Sequence, residues 1–456
     1  MRELRRVQRI CRARPSIRSA GRRAVRLSGS TDPYGREWLS ARPSGEAGGW
    51  RTVDVRCVGC GEVEGLMTAS ADKSTSKKVG KEKSVTRRIR VRASDRPDPW
   101  IVGLTVLLVA SGVLLVFDTT YFFSQTTFGD GYRMLTKHVI SIALGSILLW
   151  LLAHTRSHQL EEWAKPAFIT ALVFLALPLI PGVGNCTKGA CRWISFGPLN
   201  IQPAELVKVA FVVFMASLLT RKRAELTDIR HGLIPTLAVI GIVAVLLLAQ
   251  PDLGTTALIG LVGVGVMFLA GVPFRHLALL GIPVALGGYY LVAEVPWRLK
   301  RILCFTDAWA DPRGACYQLV QSYRTFGSGG VDGIGLGASL QKTGWLPEAH
   351  TDFVLAVIGE EGGLIGALLV VLCFSILSYR GFRVAHRHPE LFGQLLAAGI
   401  TLALTFQALV NMGVVLGLLP TKGLVLPFLS YGGSAMMASL AAMGILMSLS
   451  RELRGR

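Results

Sequence analysis

Charged residues are scarce in this 456-residue sequence, at 17% of the total, while hydrophobic residues make up 51%. Together with a mean hydropathy of +0.47, this excludes an ordinary soluble enzyme of this length. Acidic residues are fewer than basic ones: the sequence has 29 Asp and Glu against 49 Lys and Arg. The net charge of +20 does not indicate a nucleic-acid partner, because the basic residues crowd into the first 98 positions and into short loops between apolar runs. The composition predicts a membrane protein whose anionic neighbours are lipid headgroups.

Three further signals are missing, and each absence argues against a class of protein or of binding site. No repeat of fixed period is evident, so nothing supports an inverted-repeat transporter. Cys57 and Cys60 have zinc-knuckle spacing, but with only Cys11 nearby they lack the second pair that a closed four-ligand site requires. The glycine-rich run 329–337 does not follow a predicted strand of a βαβ unit, so it is not a nucleotide-binding loop.

Apolar runs of roughly 17 to 25 residues, the length that crosses a bilayer, occur about ten times. They cover residues 100–117, 136–153, 166–181, 203–219, 233–249, 255–270, 276–293, 353–379, 393–416 and 429–448. The pattern predicts an all-α membrane protein, a polytopic bundle of about ten transmembrane helices between residues 99 and 456. A long loop, 294–351, separates helices 7 and 8.

The distribution of Lys and Arg among the short loops predicts the orientation of this bundle. Basic residues fall in alternate loops, at Arg156, Arg221, Lys222, Arg223, Arg230, Arg275, Arg380, Arg383 and Arg387. These loops and both termini are expected to be cytoplasmic. The loop 294–351 then faces outward, and its richness in glycine, charge and aromatic residues predicts that the chemistry lies there.

Residues 1–98 differ from the rest of the chain. They are Arg-rich and then Lys/Ser-rich, without a periodic pattern long enough to bury a core, which predicts a disordered, basic cytoplasmic tail. Met67 opens a stretch that is typical of a natural start, so residues 1–66 are interpreted as lying upstream of it. N-terminal sequencing of the native protein would test that interpretation.

Four cysteines lie in predicted outward loops, in a compartment that permits oxidation. Cys186 and Cys191 share one loop, and Cys304 and Cys316 share the long one. Two local disulfides are expected, and free thiols are the alternative because a sequence does not supply the geometry of a bridge.

Several ionisable residues lie within predicted spans, where they are costly. Glu205 and Lys208 are three apart and share a helix face, as either a structural ion pair or the lining of a substrate cavity. Glu360 and Glu361 lie about two turns into the eighth span. Adjacent residues point about 100° apart on a helix, so one of them is expected to be functional and the other tolerated.

The densest group of reactive side chains is the stretch 346–353, Leu-Pro-Glu-Ala-His-Thr-Asp-Phe. Asp352 is at the start of the following span, where a carboxylate is either a plain N-cap or a base at the membrane interface. Glu348 and His350 flank it as a possible acid or ligand.

Several stretches occur in a fixed order along the chain: Arg192-Trp193, Gln202 to Leu206 with Lys208, Gln250 to Thr255, Tyr317-Gln318 with Gln321-Ser322, Leu346 to Phe353, Pro420 to Leu424, and Leu426-Pro427 with Ser430 to Ser434. Together they resemble the signatures of the SEDS family (shape, elongation, division and sporulation). The resemblance covers residues 99–449. Pro347 to Phe353 and Pro420 to Leu424 are more similar to the division branch than to the elongation branch, where Lys422 is usually replaced. The outer cysteine pairs are not a general feature of the family.

The resemblance implies a peptidoglycan glycosyltransferase that joins lipid II units outside the membrane with inversion, with undecaprenyl pyrophosphate as the leaving group. Asp352 matches the family's essential aspartate and is expected to accept the proton of the acceptor hydroxyl. Trp193 would stack on a sugar or anchor at the interface. The cations expected to stabilise the leaving group, by position or by resemblance, are Arg192, Lys208, Arg324, Lys342 and Lys422.

The resemblance also implies partners and a location. A class B penicillin-binding protein and other division proteins are expected as partners, in the bacterial plasma membrane and enriched at the division septum. A divalent cation, Mg²⁺ or Mn²⁺, is expected as a cofactor with unidentified ligands, and no organic cofactor. The alternatives are a lipid II flippase with Glu205, Lys208 and Glu360 as way-stations, a scaffold that recruits the transpeptidase, or an elongation-type polymerase.

Overall fold

The computed structural model describes residues 25–31, 37–43, 96–187, 190–197 and 199–453. It contains two units, the first within residues 1–86. There, β1 (Val25–Thr31) pairs antiparallel with β2 (Glu37–Pro43), a pairing that the composition did not predict. Met67 and the N-terminal cysteines lie outside the described residues, and the disordered tail stays a prediction.

The second unit contains thirteen α-helices among the described residues. They are α1 (Pro99–Phe128), α2 (Arg133–His154), α3 (Ser157–Ala176), α4 (Pro203–Arg221), α5 (Ile234–Ala249), α6 (Leu253–Ala270), α7 (Phe274–Ala293), α8 (Pro296–Thr306), α9 (Tyr317–Gly329), α10 (Val354–Glu361), α11 (Gly363–Arg387), α12 (Leu391–Val415) and α13 (Gly433–Arg451). Between α3 and α4 lies an antiparallel sheet of order β3 (Gly184–Thr187), β4 (Ala190–Phe196), β5 (Leu199–Ile201).

Nine of the described helical segments are long and apolar enough to cross a membrane, which confirms a polytopic helical membrane protein. They are α1, α2, α3 with its following 3₁₀ turn, α4, α5 with its preceding turn, α6, α11, α12 and α13. The helix α7 corresponds to the remaining predicted span, 276–293. It is 20 residues long and contains Pro283.

Three helices form the centre of the bundle. In the most apolar 18-residue stretch of each helix, the buried share is 94% for α13, 72% for α12 and 67% for α4. The same share is only 17% for α2 and for α11. Small residues let α13 pack closely: a Cβ at Gly444 would lie 2.6 Å from the Leu149 carbonyl oxygen of α2. The outer helices leave leucines and isoleucines exposed, as contact with lipid requires.

The predicted eighth span, 353–379, is not one helix. It breaks between α10 and α11 at Gly362 and Gly363, where Gly363 has a φ of +62° that glycine adopts without strain. The glycine-rich loop fills the break: the Ile334 and Gly335 amides donate to the carbonyls of Glu360 and Glu361, at 3.0 and 3.1 Å. These bonds satisfy carbonyls that the end of α10 leaves unpaired.

The segment 294–351 lies between α7 and α10. It contains α8, α9 and a 3₁₀ turn, Gln341–Thr343, and so has much more regular structure than a linker. With the small sheet and the segment 416–432, it surrounds the large cavity described next.

Candidate functional site

A cavity of about 940 Å³ opens among these segments. Five of the residues that the sequence singled out line it: Arg192, Trp193, Glu348, Asp352 and Lys422. They come from β4, the loop before α10 and the segment between α12 and α13, which are far apart in sequence. A half-buried surface with two carboxylates, an indole and cations can bind a sugar that carries phosphate.

The loop before α10 folds around the backbone of Glu348. This residue has a φ of +57°, an uncommon conformation for a residue other than glycine. Its carbonyl accepts hydrogen bonds from the amides of Thr351, Asp352 and Phe353, each at 3.2 Å, which winds the loop tightly. Strained backbone of this kind occurs often at functional sites.

Asp352 is not the N-cap of α10. The cap position is Phe353, whose own side chain makes no cap hydrogen bond. Of the two interpretations of this aspartate, the structural one therefore loses its main support. The half-buried carboxylate lines the cavity instead.

Two features hold Asp352 in place. The buried Asn411 of α12 donates through Nδ2 to the Asp352 carbonyl at 2.8 Å and to the Leu424 carbonyl at 2.6 Å. Gly423 lies beside the carboxylate, and a Cβ there would be 2.9 Å from Asp352 Oδ2. The Asn411 amide thus joins the stretch 346–353 to the stretch 420–424, and the missing side chain at Gly423 leaves room for the Asp352 carboxylate.

Cationic side chains continue from the large cavity into a second one of about 180 Å³, which Arg192, Arg301, Lys422 and Gly423 also line. Arg298 and Asp252 line the second cavity as well. Desolvation by the surrounding protein lowers the pKa of Arg301, although the residue is exposed overall, and the charge of Asp352 opposes that shift. Arg301 and Asp352 therefore interact electrostatically.

Lys422 is a second cation of this group whose pKa is lowered. Burial lowers the pKa of its ammonium group, the charge of Asp252 raises it, and the charge of Arg298 lowers it further. The net direction is down, because desolvation disfavours the charged form.

Arg192 holds a turn as well as lining both cavities. Its Nε donates to the Gln250 carbonyl at 2.9 Å, its Nη2 donates to the Pro251 carbonyl, and its Nη1 lies 3.9 Å from Asp252. Asp252 itself accepts from the amide and hydroxyl of Thr255 at the start of α6, at 3.2 and 2.9 Å. The Arg192 guanidinium thereby fixes the sheet to the start of α6.

Glu205 and Lys208 were candidates for substrate binding, and the structure places them elsewhere. They form a buried ion pair of 2.7 Å beside a small cavity of about 30 Å³. Lys208 Nζ also donates to Gln407 Oε1 at 2.6 Å, and Gln407 Nε2 donates to the Val425 carbonyl at 2.9 Å. The buried charges thus have the partners that they need, and Gln407 connects the pair to the segment that carries Lys422.

Glu360 and Lys342 also lie away from the large cavity. Lys342 Nζ is 2.7 Å from Glu361 Oε1 and 2.5 Å from Asp118 Oδ1. Glu360 accepts from Ser328 at 3.2 Å and from Ser339. Both glutamates are buried and bonded at the break between α10 and α11, and which of them is functional stays a prediction.

The last two candidates do not line the cavity either. Arg324 is exposed on α9. The ring of His350 stacks on Phe123, with centroids 5.3 Å apart, and lies 5.9 Å from the Tyr431 ring. Burial lowers the pKa of His350, and the charge of Glu348 opposes that shift. The imidazole packs against Phe123 and so joins α1 to the loop.

Several lining residues were not identified from the sequence. They are Lys137, His138, Ser141 and Arg301, whereas Gln318 and Tyr431 lie within motifs of the family resemblance. Arg301 had a usable signal, because Arg298, Lys300 and Arg301 form a basic cluster in a loop predicted to face outward, against the general charge rule. Lys137, His138 and Ser141 give no such signal, since they lie on the ordinary apolar helix α2.

The four cysteines of the predicted outward loops form two disulfides in the structure, Cys186 with Cys191 and Cys304 with Cys316. The first closes the β3–β4 hairpin, directly before Arg192. The second joins the end of α8 to the start of α9. Each bridge therefore borders a segment that lines the large cavity.

The fold and this site agree with three comparisons. The family model described as a cell cycle protein, covering FtsW, RodA and SpoVE, matches residues 99–455. A probable peptidoglycan glycosyltransferase FtsW of Geobacter metallireducens is 40% identical over 371 residues, which cover 81% of this chain and 98% of the relative. Stage V sporulation protein E of Bacillus subtilis is 37% identical over 78% of this chain and 98% of its own length.

Solved structures agree with these relatives. A chain from a study of how a peptidoglycan synthase complex coordinates polymerization and crosslinking has a TM-score of 0.64 at 30% identity, covering 78% of this chain and 98% of that one. The rod shape determining protein RodA of Thermus thermophilus has a TM-score of 0.58 at 28% identity, covering 79% and 98%.

Proposed function

The chain belongs to the FtsW, RodA and SpoVE family of cell cycle proteins, and we propose that its large cavity is where it polymerises lipid II, with Asp352 as the general base. The protein is a peptidoglycan glycosyltransferase of cell division. One observation carries the proposal for the site: a single cavity gathers a carboxylate that is not at the helix cap position, cations and an indole.

The proposed reaction is a single displacement. The Asp352 carboxylate accepts the proton of the acceptor sugar's 4-hydroxyl while that oxygen attacks the anomeric carbon of the donor. The bond from that carbon to undecaprenyl pyrophosphate breaks on the opposite face, so the configuration inverts. One base suffices, unlike the carboxylate pair of glycoside hydrolases.

Negative charge develops on the departing pyrophosphate, and cations should stabilise it. Arg301 and Lys422 line both cavities and are the best placed. Arg192 adds positive charge while it holds the turn before α6. Trp193, half-buried at the wall, is proposed to stack on a sugar ring.

A divalent cation would fit this site only if the substrate supplied some of its ligands. Among the described residues, no group of three His, Cys, Asp or Glu side chains could hold a metal ion. Mg²⁺ or Mn²⁺ would therefore take Asp352 or Glu348 together with substrate phosphates and water. Such an ion would supply positive charge to the leaving group.

The protein is a multi-pass membrane protein. We propose that the cavity faces outward, where lipid-linked disaccharide is joined. The lining segments support this: the start of α2, the small sheet, α8, α9 and the segment 422–435 all belong to ends predicted to be outward. Both termini are then cytoplasmic, and enrichment at the septum follows from the role in division.

The proposed partner is a class B penicillin-binding protein that crosslinks the strands. Other division proteins are proposed as further partners. The relatives named FtsW favour the division role over an elongation role. Helix surfaces that face lipid and helix surfaces that face a partner protein are both apolar. For this reason, the described residues do not identify the helices that contact the partner.

The flippase alternative lacks a described path. Glu205, Lys208 and Glu360, its expected way-stations, are buried and bonded to protein groups. A scaffold would not need the cavity at all. These two functions are therefore outcomes of the test and not part of the proposal.

The test uses full-length protein with its cognate transpeptidase in liposomes that contain labelled lipid II. We expect glycan strands that grow with time. Transfer of labelled lipid II between leaflets without polymer would contradict the proposal in favour of a flippase. A partner complex that forms with neither activity would favour the scaffold.

A further inference from the structure

The helix α8 supplies arginines to both cavities. Arg301 lines the large and the second cavity, and Arg298 lines the second. The charge of Asp352 acts on Arg301, so the two side chains are electrostatic neighbours. The position of α8 therefore determines how close the positive charge of Arg301 lies to Asp352, the proposed base.

This helix is weakly held by packing. Among its described side chains, Cys304 is the one that is buried, with 2% exposed, while Leu299 and Leu303 are 41% and 56% exposed. An 11-residue helix without a buried apolar face is marginal by itself. Contact with lipid would hold Leu299 and Leu303 at the membrane surface but would not fix the helix relative to the cavity.

The helix α9, by contrast, is well anchored. Leu319 and Val320 are buried with 1% and 0% exposed. The Ser322 hydroxyl donates to the Val415 carbonyl of α12 at 2.7 Å, and Gln318 Nε2 donates to the Pro347 carbonyl at 3.3 Å. The bridge from Cys304 to Cys316, the residue at the N-cap of α9, ties the weakly held helix to this anchored one.

We propose that the Cys304–Cys316 disulfide is the positioning element for Arg301, so that polymerisation reaches its full rate only when this pair is oxidised. The proposal rests on the proposed function. Nothing in the large cavity requires a cysteine; the bridge acts through the arginine that α8 carries. The rate of this enzyme then depends on the thiol chemistry of the outer compartment.

The chemistry is a thiol–disulfide exchange. The thiols of Cys304 and Cys316 give up two protons and two electrons to the disulfide of a thiol oxidoreductase, which leaves as a dithiol while the Cys304–Cys316 bond forms. Dithiothreitol reverses the step: it leaves as a cyclic disulfide, and two protein thiols return.

The experiment is a double-mutant cycle on the full chain with its transpeptidase, which compares wild type, Cys304→Ser with Cys316→Ser, Arg301→Ala, and all three changes together. We expect kcat/KM for lipid II to fall about tenfold in the pair variant and about tenfold in Arg301→Ala. If the bridge acts through Arg301, the triple variant is no slower than Arg301→Ala. A product of the two losses, about a hundredfold, or a pair variant at the wild-type rate would overturn the proposal.

Reduction of the wild type by dithiothreitol provides a second measurement if the pair variant fails to fold. The rate should fall in proportion to the fraction of Cys304 and Cys316 that becomes alkylated. Cys373, the free cysteine in the described part of the chain, gives a control variant, Cys373→Ala, that should respond like wild type. A rate that is unchanged when Cys304 and Cys316 are fully alkylated would overturn the proposal.

Hydrogen exchange separates this proposal from the proposed function, because it does not depend on turnover. Reduction should speed amide exchange across residues 296–306 and leave the amides of 319–325 protected. A protein that makes no polymer but shows this change would contradict the proposed function alone. Unchanged exchange in α8 after reduction would contradict the positioning role itself.

Discussion

The carboxylate of Asp352 depends on the smallest residue of the neighbouring segment. A Cβ at position 423 would lie 2.9 Å from Asp352 Oδ2, closer than real Cβ contacts allow. We expect Gly423→Ala to move the carboxylate and lower kcat by about 10- to 100-fold, because a misplaced base loses most of its effect. KM for lipid II should change less. Kinetic assays with purified lipid II would measure both constants.

Gly254→Ala is the matched control for this variant. A Cβ at Gly254 would lie 3.5 Å from Leu424, an ordinary contact, and the residue borders the second cavity. This variant should keep its kcat. Equal losses in the two alanine variants would mean that the close contact at Gly423 does not matter.

The proposed role of Lys422 predicts how kcat/KM depends on pH. Burial lowers the pKa of Lys422 below that of an ordinary lysine, so the cation is present below that lowered value and is lost as the pH rises through it. The alkaline decline of kcat/KM should therefore begin below the usual lysine range. In Lys422→Arg the decline should move to higher pH, because arginine stays protonated. Identical profiles for the two proteins would exclude Lys422 as the group.

The sequence identified some residues of the site and not others, for physical reasons. Asp352, Glu348 and Lys422 stand out because motifs carry them and because charge near a membrane needs a cause. His138 gives no such signal, since its place in the cavity wall depends on which helices meet. His350 looked reactive beside Asp352, but its ring packs against Phe123.

At the scale of elements, a buried polar chain links α4, α12 and the segment that carries Lys422. It runs from Glu205 through Lys208 and Gln407 to the Val425 carbonyl. We expect Lys208→Met to cost about 3–5 kcal/mol of stability, because it leaves Glu205 buried without its partner. Lys208→Met with Glu205→Gln should recover part of that loss.

Thermal unfolding in detergent measures both variants, and polymerisation is assayed at equal amounts of folded protein. A supporting role predicts nearly normal KM for lipid II per folded molecule. A raised KM without a loss of stability would return the pair to a role in substrate binding.

The sequence predicted the helices whose position depends on hydropathy. It did not predict the elements whose position depends on a few individual contacts. The apolar runs located the spans, but hydropathy did not reveal the break at Gly362 and Gly363. That break depends on a positive φ and on amides donated from the glycine-rich loop. The three-stranded sheet was also missed, since its strands are short and interrupted by Asn, Lys and Gly.

On the scale of the whole molecule, the charge pattern predicts which end of the bundle faces outward. Alkaline phosphatase, which is active only outside the cytoplasm, should be active when fused after Asp332 and inactive when fused after Arg223. The opposite result would place the large cavity on the cytoplasmic side, where the proposed reaction does not take place.

The arrangement of the helices was not predictable from the sequence alone. Every span is apolar enough for lipid, so hydropathy does not say that α13 is central and α2 peripheral. The clue was the abundance of Ala, Ser, Gly and Met in α13, residues that allow close packing between helices. Its significance depends on the partner helix, which the sequence does not name.

The central claim is that Asp352 is the base in a cavity that polymerises lipid II. The most direct measurement is polymer formation from purified lipid II by wild type, Asp352→Asn and Asp352→Ala, each with the transpeptidase and at matched folded concentration. The account predicts a loss of about a hundredfold or more in both variants, with thermal stability, partner binding and affinity for lipid II retained. A variant that makes glycan strands at the wild-type rate would contradict it.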